Sequence, residues 1–323
     1  MESENSMARA TPFVGVHHIG LTVVDADAAA RFYVVAAGFS DVTSARQPNL
    51  MTSGGRMLRS GNAYIRLLPA SRTIALRSVP RPVSDAGIVH ICLQSTAVEA
   101  LYNKFASAGA TFHGPLTDLG TGFLYCYARD VENNVIELEG VAPVWEDPAP
   151  WVAHVSLTSH DVDRLAMFYA ALLGTRATVS GRIGPNRKMD AIPGLAGTEI
   201  KAAWIPAANM QIEVIQYLQP ATSKPDAPHA IDAPGYGYIC LEVSDVAAAS
   251  QRALAEGATI AVGLSPLHAS GDEEFVCTDP DGNVLVLKSF KLNDVSLTLD
   301  ALSDRDIVAR FAARRDQLTN RVH

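Results

Sequence analysis

The chain repeats one unit four times, and that repeat constrains the fold more than any single residue does. The segments VHHIGLTVVDADAAARFYVVAAGF (16–39), IVHICLQSTAVEALYNKFASAGA (88–110), VAHVSLTSHDVDRLAMFYAALLGT (152–175) and YGYICLEVSDVAAASQRALAEGA (236–258) line up. Each opens with a strand-like alternation whose apolar positions are Ile19/Leu21/Val23, Ile91/Leu93, Val155/Leu157 and Ile239/Leu241/Val243. A polar turn follows, then an alanine-rich stretch with helical spacing. Asp25, Asp161 and Asp245 stand where a carboxylate caps a helix start, and Gly38, Gly109, Gly174 and Gly257 where a helix ends. The units also close alike, in NAYIRLLP (62–69), NNVIELEG (133–140), NMQIEVIQY (209–217) and NVLVLKSF (283–290), with turn signals RDVENN (129–134) and DPDGN (279–283) before two of them.

Each unit reads as strand, helix and about three strands, so the fold class is α+β: four βαβββ modules at 16–70, 88–140, 152–218 and 236–290. One unit of this size cannot close a cavity. Two brought together can curl into a half-open mixed β-barrel, and four give two such barrels. By chain order, residues 1–142 and 151–290 hold two modules each. The tail, 291–323, carries Ile307, Val308, Phe311 and Leu318 at roughly helical spacing. It predicts a C-terminal helix docked on the body or on a second subunit.

Composition narrows the partners. A chain that is 48% hydrophobic and 19% charged can bury a substantial core, and a net charge of −8 argues against a nucleic-acid backbone as partner. No apolar run reaches membrane-helix length, and the start, MESENSMARATPF, lacks the apolar region of a signal peptide. Cys92, Cys126, Cys240 and Cys277 form no CxxC pair and read as reduced, packed thiols of a cytoplasmic protein. The expected partner is a small-molecule substrate, and a monomer and a homodimer both remain open.

The chemistry lies on the other face of the strands. The first strands carry His18/Gly20/Thr22, His90/Cys92/Gln94, His154/Ser156/Thr158 and Tyr238/Cys240/Glu242 on that face, and the last strands carry Arg66, Glu137, Glu213 and Val286 in one register. Modules two and three thus each supply a histidine and a glutamate. Module one keeps His18 but has Arg66, and module four has Tyr238 and Val286. Imidazole and carboxylate are good ligands for borderline divalent metals, and two histidines with one or two carboxylates, converging from separate strands, leave positions open to a substrate.

The HHIGLTVVDADAAARFY start, the DPDGNVLVL ending and the RDVENNVIELEG variant resemble the vicinal oxygen chelate superfamily over residues 14–290. That superfamily includes glyoxalase I, methylmalonyl-CoA epimerase, extradiol dioxygenases, fosfomycin-resistance enzymes and bleomycin-binding proteins. The resemblance implies paired βαβββ modules with metal ligands on first and last strands. His90, Glu137, His154 and Glu213 match best, with His18 next, while Arg66, Tyr238 and Val286 depart from the pattern.

Two pairings of the modules follow. Pairing of sequence neighbours joins His18, His90 and Glu137, a two-histidine, one-carboxylate set similar to that of Fe(II) extradiol dioxygenases. Nested pairing, two with three and one with four, joins His90, Glu137, His154 and Glu213 and leaves the departures together. Nesting explains the residues more simply. It implies a divalent metal (Zn, Ni, Co, Mn or Fe) that chelates adjacent substrate oxygens and stabilises an enediolate, with Glu137 or Glu213 as base and a lyase or isomerase as the outcome. A binding protein that sequesters an antibiotic or metabolite is the third expectation. Arg182, Arg187 and Lys188, in a glycine- and proline-rich stretch (180–204) suited to a lid, and Tyr127 are the candidate substrate contacts.

Overall fold

The computed structural model describes residues 11–43, 54–71, 80–142, 149–223, 229–261, 273–290 and 297–319. The expectation for the first ten residues, that no signal peptide stands there, lies outside this range, as does the start of the tail, 291–296.

Module one comprises β1 (Phe13–Val23), α1 (Ala26–Ala37), β2 (Ser40–Asp41), β3 (Arg56–Arg59) and β4 (Tyr64–Pro69). Module two comprises β5 (Gly87–Ser95), α2 (Val98–Ser107), β6 (Thr111–Phe112), β7 (Thr117–Asp118), β8 (Leu124–Arg129) and β9 (Val135–Gly140). Module three comprises β10 (Trp151–Thr158), α3 (Val162–Leu173), β11 (Thr178–Val179), α4 (Arg187–Ala191), β12 (Glu199–Pro206) and β13 (Gln211–Gln219). Module four comprises β14 (Gly235–Val243), α5 (Val246–Ala255), β15 (Thr259–Ile260), β16 (Glu274–Thr278) and β17 (Val284–Lys288). A 3-10 turn (Leu299–Ala301) and α6 (Ile307–Thr319) complete the tail.

Local sequence explains the helix ends. Asp25 accepts from the amides of Asp27 and Ala28, Asp161 from that of Arg164, and Asp245 from that of Ala248. Gly38 and Gly174 end α1 and α3 in the left-handed conformation, at φ 74° and 70°, where a Cβ would be strained.

The sheets pair the modules in nested order. Among the described residues one sheet runs β15-β16-β17-β14-β1-β4-β3-β2, which is module four beside module one. The other runs β11-β12-β13-β10-β5-β9-β8-β6, with β7 on β8, which is module three beside module two. First strands meet antiparallel at each centre, β1 on β14 and β5 on β10, and each first strand is parallel to its own module's last strand. The sheets are open rather than closed barrels, and neither follows one half of the chain.

Sequence neighbours meet through helices and turns instead. Phe32 of α1 stands edge-on to Phe105 of α2, with centroids 5.4 Å apart. The Tyr33 hydroxyl donates to Asp130 in the β8–β9 turn (3.0 Å), and the Tyr169 hydroxyl donates to Asp279 in the β16–β17 turn (2.9 Å). One apolar core runs through all four modules and includes Ile19, Leu21, Ile91, Leu93, Val155, Leu157, Ile239 and Leu241, the positions assigned to it from alternation. Asn62 and Asn209 occupy equivalent turns of modules one and three and clamp the two sheets. Asn62 donates to the carbonyls of Val152 and Asn209, and Asn209 donates to those of Val16 and Asn62.

With one face of each sheet against the shared core, the other face is left to be covered. Leu297, Leu299 and Leu302 of the tail pack on Met57 and Tyr64 of the first sheet. Ile307 and Phe311 of α6 pack on Cys92, Trp151 and Ala153 of the second. No described helix is long and apolar enough to cross a membrane.

Candidate metal centre

Four strands at the middle of the second sheet, in the order β13-β10-β5-β9, supply the candidate ligands. Cross-strand register sets two rows. Glu213, Ser156 and His90 lie side by side in one, and His154, Cys92 and Glu137 in the other. In each row the histidine and the glutamate stand two strand spacings apart, about 9–10 Å, with a small residue between them. Serine and cysteine leave room for the long side chains to lean inward and meet.

They do meet. His154 Nε2 is 3.0 Å from Glu137 Oε2 and 3.3 Å from Glu213 Oε2, and His90 Nε2 is 3.4 and 3.6 Å from the same two oxygens. The ligand-type atoms all lie within 4.8 Å of one another. His90, Glu137, His154 and Glu213 are 1%, 7%, 5% and 6% exposed, so the cluster is shielded from bulk water.

The arrangement fits a metal ion. Ligand bonds of about 2.1 Å around a tetrahedral centre put neighbouring donor atoms about 3.4 Å apart, and the four separations bracket that value. Both ring nitrogens of His90, Glu213 Oε2 and Ser156 Oγ are buried without a hydrogen-bond partner among the described residues. A bound cation relieves that burden where no internal hydrogen bond does.

Electrostatics within the cluster are steep. Burial disfavours the Glu137 carboxylate, but the hydrogen bond from His154 and the nearness of the His90 imidazole overcome it and bring the pKa down to about 2. Burial likewise disfavours imidazolium at His154, and the Glu213 and Glu137 carboxylates overcome it, raising the pKa to about 9. Without a cation, His154 therefore holds the compensating proton. Glu139, two residues beyond Glu137 on the same face, is pushed up by burial and then by the Glu137 charge. It accepts from Gln94 Nε2 (2.7 Å), whose amide oxygen accepts from the Trp151 indole (3.0 Å).

One wall of the site is apolar and aromatic. Tyr127 stands beside Glu137 across β8 and β9, and its ring centroid is 4.9 Å from that of His90. Tyr217, Val89, Val135, Met189 and Ile192 belong to the same cluster.

The structure does not bring the other candidates here. Arg182, Arg187 and Lys188 are exposed, and Arg182 pairs with Glu199 at 3.4 Å. The buried side chains of their stretch are instead mostly apolar, among them Met189, Ile192 and Ile200. The stretch is also tied down, by the Pro193 carbonyl to His113 Nδ1 (2.7 Å) and by the Thr198 amide to Asp190 (2.7 Å).

His18 lies in the other sheet, apart from His90 and Glu137, so the alternative set of His18, His90 and Glu137 is not assembled. Its surroundings form a hydrogen-bonded chain. The Arg66 guanidinium donates to the Tyr238 hydroxyl (3.3 Å), which donates to His18 Nε2 (3.0 Å). His18 Nδ1 then donates to His17 Nδ1 (2.8 Å), and His17 Nε2 donates to the Leu297 carbonyl. Burial lowers the His17 pKa to about 3, which keeps that ring neutral, and the Leu297 carbonyl, which can only accept, sets the proton on Nε2. The Tyr238 ring lies over Gly20, where a Cβ would come within 2.0 Å of it. His17, His18 and Cys240 lie close enough to form a ligand set, but the imidazoles are already committed to this chain.

Sequence reasoning missed His17, because a shift in register between Val16 and His18 brings two adjacent ring nitrogens together against strand alternation. It also assigned nothing to Glu139 and Gln94, although alternation places both on the site's face.

The sequence profile of the Glyoxalase/Bleomycin resistance protein/Dioxygenase superfamily matches residues 15–138 and 151–287. Glyoxalase I from Zea mays superposes with a TM-score of 0.60 at 17% identity, over 85% of this chain and 92% of that one. A point mutant of the same maize enzyme gives 0.62 at 16% identity with the same coverage. A candidate dioxygenase from Bacillus subtilis subsp. subtilis strain 168 gives 0.55 at 13% identity, over 96% and 97%. At these identities the likeness is one of fold, and no curated protein matches the chain. Through its family profile, in two tandem stretches that include all four candidate ligands, the chain belongs to the Glyoxalase/Bleomycin resistance protein/Dioxygenase superfamily.

Proposed function

We propose that this protein is a divalent-metal-dependent lyase or isomerase of glyoxalase or epimerase type, acting on a small substrate with two adjacent oxygens. His90, Glu137, His154 and Glu213 hold the metal. The observation that carries this reading is the convergence of four buried ligand-type side chains from four strands, with imidazole-to-carboxylate distances of 3.0–3.6 Å and two of the four donor atoms unsatisfied by hydrogen bonds.

When bound, the metal supplies Lewis-acid polarisation of the substrate oxygens. The protein supplies the rest. Glu137 takes the shorter contacts from both imidazoles and is the anchored carboxylate. Glu213, at 3.3 and 3.6 Å, is the looser one and would leave the ligand set to accept the proton from the substrate carbon on its carboxylate. Tyr127 and the apolar wall beside it orient the substrate and exclude water.

The test is metal analysis of the wild type beside His154→Ala and His18→Ala, followed by turnover of hemithioacetals and acyl thioesters in an oxygen electrode. One metal per chain in wild type and His18→Ala, its loss in His154→Ala, and turnover without oxygen uptake support the reading. A wild type that takes up no metal overturns it. Oxygen consumption matched to turnover would make the protein an oxygenase, and stoichiometric ligand capture without turnover a binding protein.

A further inference from the structure

A cleft of about 420 Å³, lined by none of the four candidate ligands, opens at the seam between the two sheets. Three modules build it. Val24 comes from the turn before α1, Ala28 from its first turn, Val89, Val131 and Val135 from module two, and Tyr236 from β14. These walls are apolar. Set into them is the Arg129 guanidinium.

Arg129 is held rigidly, and among the described residues no carboxylate forms an ion pair with it. Its Nε donates to His113 Nε2 (2.9 Å), Nη1 to the Asn133 carbonyl (2.7 Å) and Nη2 to the Arg81 carbonyl (3.0 Å). All three partners are uncharged, since burial keeps the His113 pKa low. Three of the five guanidinium N–H groups are used, and two remain. Arg81, the other cation of the cleft, pairs with Asp85 at 4.0 Å.

Two carboxylates share the cleft, and both are committed to backbone. Glu132 accepts from the amides of Val24 (2.6 Å) and Asp25 (2.7 Å), and Asp25 accepts from those of Asp27 and Ala28 (3.0 and 2.9 Å). They neutralise the positive end of α1 rather than Arg129. A half-buried, preorganised guanidinium in an apolar cleft is the chemistry that selects a carboxylate on an apolar body.

We infer that the seam cleft is a second ligand site, which binds a small organic carboxylate with its charged end on Arg129 and its apolar body between α1 and the strands that carry Val89 and Val135. The proposal is independent of the metal. Val135 of the cleft lies two residues before Glu137 on β9.

The experiment titrates benzoate, and benzyl alcohol as its uncharged counterpart, into the full chain kept metal-free with chelator, so that no carboxylate binds through an ion. Calorimetry follows wild type, Arg129→Gln and Ala28→Phe. Saturable binding of benzoate, weakened at least about tenfold in both variants and absent for the alcohol, is expected. Ala28→Phe fills the cleft and leaves the guanidinium in the chain, so it decides the matter if Arg129→Gln fails to fold. No saturable benzoate binding, equal binding of the alcohol, or benzoate binding unchanged by Ala28→Phe overturns the proposal.

Discussion

Glu137 and Glu213 stand on strands separated by two others, yet an oxygen of each lies within 3.6 Å of both His90 Nε2 and His154 Nε2. Three strand spacings span about 14 Å, so strand position alone does not bring them to one imidazole. The inward lean of the long side chains over Cys92 and Ser156 closes that gap. The same relationship requires nested pairing, because Glu137 belongs to the second module and Glu213 to the third. The first and fourth modules carry the parallel set Arg66, Tyr238, His18 and Val286, and there hydrogen bonds do what the metal does in the proposed site.

The two carboxylates should be separable by mutation. Glu213→Gln keeps the shape of the side chain and removes the proposed base. It should retain metal and lower kcat by about 100-fold to 10,000-fold. Glu137→Gln removes the carboxylate that both imidazoles contact most closely, and it should weaken metal binding by more than about 100-fold. Metal competition titrations beside steady-state kinetics read both effects. Equal loss of metal in the two variants would deny them separate roles.

The spacer residues carry a prediction of their own. Ser156 stands between Glu213 and His90, and its hydroxyl makes no hydrogen bond among the described residues. Ser156→Val puts branched methyls where the two side chains converge, while removing an orphaned polar group. Stability should hold or rise by about 1 kcal/mol, and metal affinity should fall. Thermal denaturation of the metal-free protein with a parallel zinc titration separates the two, and an undiminished affinity would mean that the row has slack.

Much of this was legible in the residues. Alternation assigned the core face, Asp25, Asp161 and Asp245 marked helix starts, and the shared register of His90, Glu137, His154 and Glu213 pointed to nesting before any coordinates. What was not legible depends on contacts remote in sequence. Nothing local says that Leu297, Leu299 and Leu302 cover the first sheet, or that His17 leaves strand alternation to meet His18. Arg182, Arg187 and Lys188 read as substrate contacts because basic residues in a glycine-rich loop resemble an anion site, whereas these three are exposed and burial in this stretch falls on side chains such as Met189, Ile192 and Ile200. Spacing reports which face a residue is on, and only packing reports what covers that face.

Protons and metal should compete for the cluster, with a direction fixed by the two shifted groups. The His154 pKa is raised from 6.5 to about 9, so its contribution to stability is full below pH 6.5 and fades as pH rises through 9. The Glu137 pKa is lowered from 4.5 to about 2, so its contribution is full above pH 4.5 and fades as pH falls through 2. The metal-free cluster is therefore most stabilising between pH 4.5 and 6.5. Metal binding must displace the His154 proton, so apparent affinity should climb by about tenfold per pH unit below pH 9. Zinc titrations at two pH values with proton release followed in a weak buffer test this, and a pH-independent affinity would show that His154 is not a ligand.

Entry to the proposed site should require α6 to move. The four candidate ligands are buried, and two covers flank them. The cover that carries Met189 and Ile192 is pinned through Pro193 and Thr198. The tail is pinned ahead of its helix, by the Leu299 amide on Glu242 (2.8 Å), the Asp304 amide on Gly61 (2.9 Å) and Arg305 on the Val14 carbonyl (3.2 Å). The helix that follows rests on Cys92, Trp151 and Ala153 through Ile307 and Phe311, with the Phe311 and Trp151 rings 5.7 Å apart. Cys92 sits in the same row as His154 and Glu137, so α6 is one side chain from the metal centre. Phe311→Ala removes about 2 kcal/mol of burial, which raises the open population about thirtyfold if that contact holds the helix down. Removal of cobalt by a chelator, followed by its absorption, should accelerate accordingly while stoichiometry stays at one per chain. Trp151 fluorescence should report the same opening. An unchanged removal rate with altered Trp151 emission would place the entry elsewhere than beneath α6.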